Sequence, residues 1–233
     1  MSYGKDKPVR EAEPVVKSNT RRYVIAFNGP PRAGKDTASS AVCAVIRDRA
    51  NWLQVRHMKL SEPLKKGCHA LFSAFHSPDY YDLPENSQQK DLPSGDFFGM
   101  TPREIYIAMS EEFLKKVAGP AALGYIARKQ MTRMQGARIF VFSDAGFAPE
   151  WEPIIDYVGE ENFMLVEIHS AQKGDFSNDS RGYIGDELKV AHPRMKLVKL
   201  NNVIGDAQDK ELFRVLAQGA AINFLRHEMK DEE

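Results

Sequence analysis

Cysteine is scarce in this chain: Cys43 and Cys68 are the only two among 233 residues. Both stand in semi-apolar stretches that read as helix, which favours buried reduced thiols over a disulfide or a metal site. An excess of one charge is missing too. Lys+Arg and Asp+Glu number 32 each, for a net charge of +0. That balance argues against a globally basic, sequence-blind nucleic-acid binder and leaves room only for a local patch. No apolar run approaches the roughly 20 residues of a membrane span, so no membrane partner is expected. The six histidines show neither metal-ligand spacing nor a triad, and His169 reads as a partly buried strand-end histidine. There is no internal repeat. The opening "MSYGKDKPVREAEPVVKSNTRR" is charged and contains proline, without the apolar core of a secretory signal. Residues 1–21 read as a flexible tail ahead of the folded domain at 22–233, and the cytoplasm is the default address.

What is present is an alternation of apolar runs and helical patterns. "YVIAF" (23–27), "VRHMKL" (55–60), "ARIFVFSDAGF" (137–147), "NFMLVEIHS" (162–170) and "MKLVKLNN" read as strands. Helices are expected from about Lys35 to Arg49, over 61–75 with Ser61 as cap, and over 101–117 with a Thr101/Glu104 capping box and Pro102 at the first position. Further helices are expected in "GPAALGYIARKQMTRM", "EWEPIIDYV" and the closing "QDKELFRVLAQGAAINFLRHEM". Such an alternation predicts an α/β fold, a mostly parallel sheet flanked by helices in three layers, with ligands at the carboxyl ends of the strands. Residues 76–100 form an unusually long Pro/Asp/Ser-rich loop, read as a functional excursion.

Between the first strand and the first helix, Gly29-Pro-Pro-Arg32-Ala33-Gly34-Lys35 fits G-x-x-x-x-G-K. Backbone N–H groups of such a loop converge on phosphate oxygens, and the following helix adds the positive end of its dipole. Lys35 then reaches the outer phosphates of a nucleoside triphosphate. These features predict ATP with Mg²⁺, cradled by Gly29, Arg32, Ala33, Gly34, Lys35, Asp36 and Thr37. The usual next residue is Ser or Thr, whose hydroxyl ligates the metal; here it is Asp36, followed by Thr37. Asp36 either holds the ion directly or through water, points at the acceptor, or simply favours the helix N-terminus.

The ordered set "GPPRAGKDT", "LSEPLKKGCHALF", "MTPREIYIAMSEEF", "VFSDAGFAPEWEPI" and the final "LNN…LF" resembles phage deoxynucleoside monophosphate kinases and their P-loop relatives over roughly 22–225. The resemblance implies a P-loop kinase domain at 22–233, with an acceptor-side loop at 76–100 and a lid at 170–188. It makes Lys35, Asp36, Asp144 and Arg181 the catalytic candidates, with Lys173 of the lid on the phosphates. Asp144, ending its strand, would either orient metal-bound water, joining Asp36 and Thr37 as a metal candidate, or accept the acceptor's proton; the plainer alternative is a turn cap. Arg103, Glu104 and Phe147 fall on the acceptor side.

One departure bears on the acceptor. The family's Ser-Asp-x-Arg-Phe reads Ser143-Asp144-Ala145-Gly146-Phe147 here, so a cation suited to a phosphate acceptor is missing. The chain equally resembles the branch that phosphorylates the hydroxymethyl group of 5-hydroxymethyluracil in phage DNA, and this acceptor is preferred over a free deoxynucleoside monophosphate. An inactive nucleotide-binding regulator is the third reading. A DNA base would have to be flipped out, and Phe72, Phe75, Tyr80, Tyr81, Phe97 and Phe98 are candidates to stack on it. Basic pairs such as Arg21/Arg22 and Arg56/Lys59 read as mostly solvated. A homodimer is left open.

Overall fold

The computed structural model describes residues 21–72, 91–93, 95–170, 176, 181–203 and 206–229. The expected tail apart from Arg21, most of the 76–100 loop, and Lys173 lie outside the described residues.

Five strands, β1 (Tyr23–Asn28), β2 (Val55–Met58), β3 (Ile139–Ala145), β4 (Phe163–His169) and β5 (Lys196–Asn201), form one parallel sheet in the order β2-β3-β1-β4-β5. β1 lies at the centre and every one of its residues is buried. Because strand side chains alternate between faces, it feeds two separate cores. Tyr23, Ile25 and Phe27 pack with Val42 and Ile46 of α1 (Lys35–Arg49) and with Phe213, Ala217 and Ala221 of α8 (Ala207–Phe224). Val24 and Ala26 face the opposite way, toward Leu123 and Met131 of α5 (Ala122–Arg133), Ile154 and Ile155 of α6 (Glu152–Val158) and Leu188 of α7 (Gly185–Ala191). The result is a three-layer α/β fold, a parallel sheet between two layers of helices, as the alternation of elements predicts.

Between β2 and β3 run α2 (Glu62–Phe72), α3 (Pro102–Ala108), a π turn (Met109–Leu114) and α4 (Lys115–Ala118). The capping box is formed: the Glu104 amide donates to Thr101 Oγ1 (3.1 Å) and the Thr101 amide to Glu104 Oε2 (2.7 Å). Four expectations change. Ser61 does not cap α2; its hydroxyl donates to Asp144. Residues 185–188, expected in the lid, belong to α7, where the Gly185 amide is held by Glu167 (2.7 Å). Phe97 is buried against Cys68 and Ile105 and offers no face for stacking, while its neighbour Phe98 is 79% exposed. Arg22 is buried, not solvated, donating to the Met131 carbonyl (2.6 Å). Both cysteines are free and buried, and burial pushes the Cys43 thiol up to about 11.

The two central strands send their chains to opposite faces. After β1 the chain enters α1 on one face; after β3 it enters α6 on the other. That divergence opens a crevice at the carboxyl edge of the sheet, and the candidate site occupies it.

Candidate active site

The bend after β1 is shaped by backbone conformations that glycine favours. Gly29 (φ 155°) and Gly34 (φ 100°) flank it, with Arg32 at φ 65°. Space requires glycine as well. A Cβ on Gly29 would meet the Ile168 carbonyl at 2.7 Å, and one on Gly34 would meet Asn202 Nδ2 at 2.8 Å. Asn202 in turn donates to the Ala33 carbonyl (2.8 Å), so the loop rests on the ends of β4 and β5. Lys35 Nζ donates to the carbonyls of Gly29 and Pro30, both at 2.7 Å, which keeps the ammonium against the bend. No side chain caps α1. The first amides of this helix are donors of the kind an anion can satisfy.

Asp36 sits in the first turn of α1, where its Oδ1 accepts from Ser143 Oγ (2.9 Å) and pairs with Lys59 Nζ (2.9 Å). Burial works upward on its carboxyl, but the hydrogen bond and charge of Lys59, with Ser143, hold it below the usual carboxylate range. Lys59 at the end of β2, which the sequence reading placed among solvated charges, is thus the ion-pair partner of Asp36. Thr37 is exposed on the same helix.

Asp144 is engaged differently from expectation. Its Oδ1 accepts from the Leu60 amide (2.8 Å), and its Oδ2 accepts from the Ser61 amide (2.9 Å) and hydroxyl (2.8 Å). Three donors on two oxygens tie the end of β3 to the start of α2. This engagement counts against Asp144 as proton acceptor or metal ligand and favours the structural alternative. Among the described residues, no group of three or more His, Cys, Asp or Glu side chains could hold a metal ion. The donor set fits a Mg²⁺ held mainly by phosphate oxygens and water, with Asp36 as the protein carboxylate.

Beside the loop lies a cavity of about 400 Å³ that reaches from Pro31 past Ser61 and Asp144 to Glu150. Arg103, Tyr106, Ile107, Ser110 and Glu111 line one wall. Their spacing is that of one helix face, a signal the sequence carried in plain sight. Glu104 is not among the lining residues; its carboxylate closes the capping box and is no candidate for substrate. Arg103 lines the cavity and also pairs with Asp91. Phe147 lines it with its ring 3.8 Å beneath the Lys115 ammonium.

Arg181 lines the opposite side, its stem lying across Gly146: a Cβ on that glycine would meet Arg181 Cδ at 2.6 Å. The space that a side chain at position 146 would take is thus crossed by the stem of Arg181. At the foot of the same segment Tyr183 stacks on His169 (4.2 Å) and donates to the Ile168 carbonyl (3.2 Å). Asn28, buried at the end of β1, donates to the carbonyls of Ala145 (2.9 Å) and Gly182 (3.0 Å), drawing the three segments together.

Sequence reasoning missed Glu150. It is 3% exposed, on the short turn Ala148–Glu150, with Lys115 Nζ 3.4 Å from Oε1. Burial pushes its carboxyl up to about 7 against the pull of Lys115, and the charges of Asp144 and Glu111 push the same way.

No family model matches the chain, and neither does any curated protein. Among solved structures it is similar to a thymidylate kinase from Ehrlichia chaffeensis, with 14% identity and a TM-score of 0.42 over 86% of this chain and 98% of that one. It is also similar to a cobyrinic acid a,c-diamide synthase from Mycobacterium smegmatis, determined with bound ADP and magnesium, with 16% identity and a TM-score of 0.40 over 85% and 82%. Likeness at this level assigns neither an activity nor a substrate.

Proposed function

We propose that the protein is an ATP-dependent phosphotransferase whose acceptor is a hydroxyl group, and that this hydroxyl is the hydroxymethyl group of 5-hydroxymethyluracil in DNA. The observation that carries the kinase reading is the glycine-bounded loop with Lys35 at its mouth, opening directly onto a cavity at the carboxyl edge of the sheet. A donor nucleotide on the loop and an acceptor in the cavity would share that edge.

The loop amides and Lys35 would hold the triphosphate, and Mg²⁺, when bound, would neutralise the phosphate oxygens. Asp36 would take the metal side. Lys59 would hold Asp36 in orientation. Arg181, resting on Gly146, would bring positive charge to the transferred group. The helix face from Arg103 to Glu111 would bind the acceptor.

The charge on the cavity wall supports a hydroxyl acceptor. Glu111, Asp144 and Glu150 all line it, with Lys115 shared between two of them. A phosphate dianion placed beside Glu111, Asp144 and a Glu150 that ionises near neutrality meets like-charge repulsion, offset in part by Lys65 on the same wall, whereas a neutral hydroxymethyl pyrimidine meets none. The deoxynucleoside monophosphate reading draws its own support from Arg103 and Arg181, two guanidinium groups on the same cavity.

The test offers γ-labelled ATP and Mg²⁺ with hydroxymethyluracil-containing DNA in one reaction and deoxynucleoside monophosphates in others. Label is expected in the DNA. Label in diphosphates alone would replace this reading with the second.

A further inference from the structure

We infer that Glu150 is the group that takes the proton from the acceptor hydroxyl during transfer, and that Lys115 positions it. This rests on the hydroxyl-acceptor reading above and names the residue that such an acceptor requires. An alcohol is a weak nucleophile until its proton is removed, and a positioned carboxylate contributes about 10²- to 10⁴-fold to such a step.

The carboxyl groups of the cavity wall and of the adjoining helix start are not equally available. Asp144 accepts three hydrogen bonds from Leu60 and Ser61. Asp36 Oδ1 is engaged by Lys59 and Ser143. Glu111 pairs with Lys115 at 2.8 Å and is partly in solvent. Glu150 is buried in the cavity wall, and Lys115 is its ion-pair partner at the longer distance of 3.4 Å.

Its position is determined from three sides. The turn Ala148–Glu150 follows β3 directly. Behind it, α5 comes so close at Gly124 that a Cβ there would lie 1.9 Å from the Glu150 carbonyl oxygen. In front, the π turn Met109–Leu114 leads to Lys115, whose ammonium sits between Glu111, Glu150 and the Phe147 ring. π turns recur at functional sites because they redirect side chains.

The groups acting on the Glu150 carboxyl are Lys115 and Glu111 from that helix and Asp144 from β3, while α5 presents the backbone of Gly124. Burial dominates, and the proton affinity lands near neutrality, where a base can both accept and release a proton.

In the step itself the acceptor O–H bond breaks and its proton goes to a Glu150 oxygen. The acceptor oxygen forms a bond to the γ-phosphorus. The bond from that phosphorus to the β–γ bridging oxygen breaks, and its electron pair leaves with ADP.

The test measures phosphate transfer to hydroxymethyluracil DNA as a function of pH for the wild type, Glu150→Gln, Glu150→Asp and Lys115→Met. The wild type is expected to lose rate below about pH 7, the value to which the carboxyl is raised. Glu150→Gln is expected to lower kcat by ~10²- to 10⁴-fold and leave the KM for ATP within ~2-fold. Glu150→Asp should recover part of the rate. Lys115→Met should move the acidic limb to higher pH, because the cation that favours the ionised form is gone; a purely structural lysine would not move it. If the wild type phosphorylates the DNA and Glu150→Gln keeps both rate and acidic limb, the role of Glu150 is overturned while the hydroxyl reading stands. If the wild type labels only monophosphates, the hydroxyl reading fails and the proton acceptor falls with it.

Discussion

Gly146 and Arg181 share one space at the cavity. The glycine leaves empty the space through which the arginine stem passes, at 2.6 Å from where a Cβ would stand. Gly146→Ala is therefore expected to displace Arg181 and slow transfer by ~10²-fold, the scale of losing one charge-stabilising donor. Arg181→Ala should cost a similar factor, and the double variant no more than the worse single one, since both remove one interaction. Transfer rates of the three variants decide it; additive losses would separate the residues.

Glu150 carries a second expectation at the same scale, about stability. Its carboxyl rises from the ordinary 4.5 to about 7 on folding. Between those values the folded chain keeps a proton that the unfolded chain has released, so stability falls as pH rises through this window. The loss is on the order of 3 kcal/mol and is complete above about pH 7. Glu150→Gln cannot ionise and should flatten that slope. Urea midpoints of both proteins at about pH 5 and about pH 8 measure it.

At the scale of elements, glycines in helices separate sharply by environment. Gly124 in α5 lies against the Glu150 backbone, whereas Gly219 in α8 has nothing within 4 Å of an added Cβ. Gly124→Ala must push α5 off the turn below it and is expected to cost ~1–3 kcal/mol or more. Gly219→Ala meets no obstacle and should gain up to ~1 kcal/mol from helix propensity. Thermal midpoints moving in opposite directions would bear this out.

The same contrast explains what could be read from the chain beforehand. All five strands were legible as short apolar, β-branched runs, and the long helices by their helical pattern and caps. The capping box was legible because its partners are three residues apart. α7 was not, since its seven residues begin with glycine in a polar stretch and depend on Glu167, eighteen positions earlier. Neither Ser61's hydroxyl nor Glu150's burial could be seen, because each is determined by residues brought near only by folding. The phosphate loop was legible for the converse reason, its signature being written in seven adjacent residues even though distant strand ends support its shape.

For the molecule as a whole, ligand binding and folding are linked. A nucleotide held only by the folded loop should stabilise the protein by ~2.7 kcal/mol at a concentration a hundred times its Kd. For a chain of this size that corresponds to a rise of ~5–10 °C in Tm. Lys35→Ala should fold normally and lose most of this rise. A shift of equal size in the variant would remove the lysine from the nucleotide site.

The contacts of Ile168 and Asn202 with the loop have a temporal side. During synthesis the glycine-rich bend emerges early, but the strand ends on which it rests emerge some 140 and 170 positions later. A ribosome-bound chain stopped before Asn202 would carry the whole signature and still lack the mould that gives it shape. Nucleotide capture should thus begin only once the last strand has left the exit tunnel.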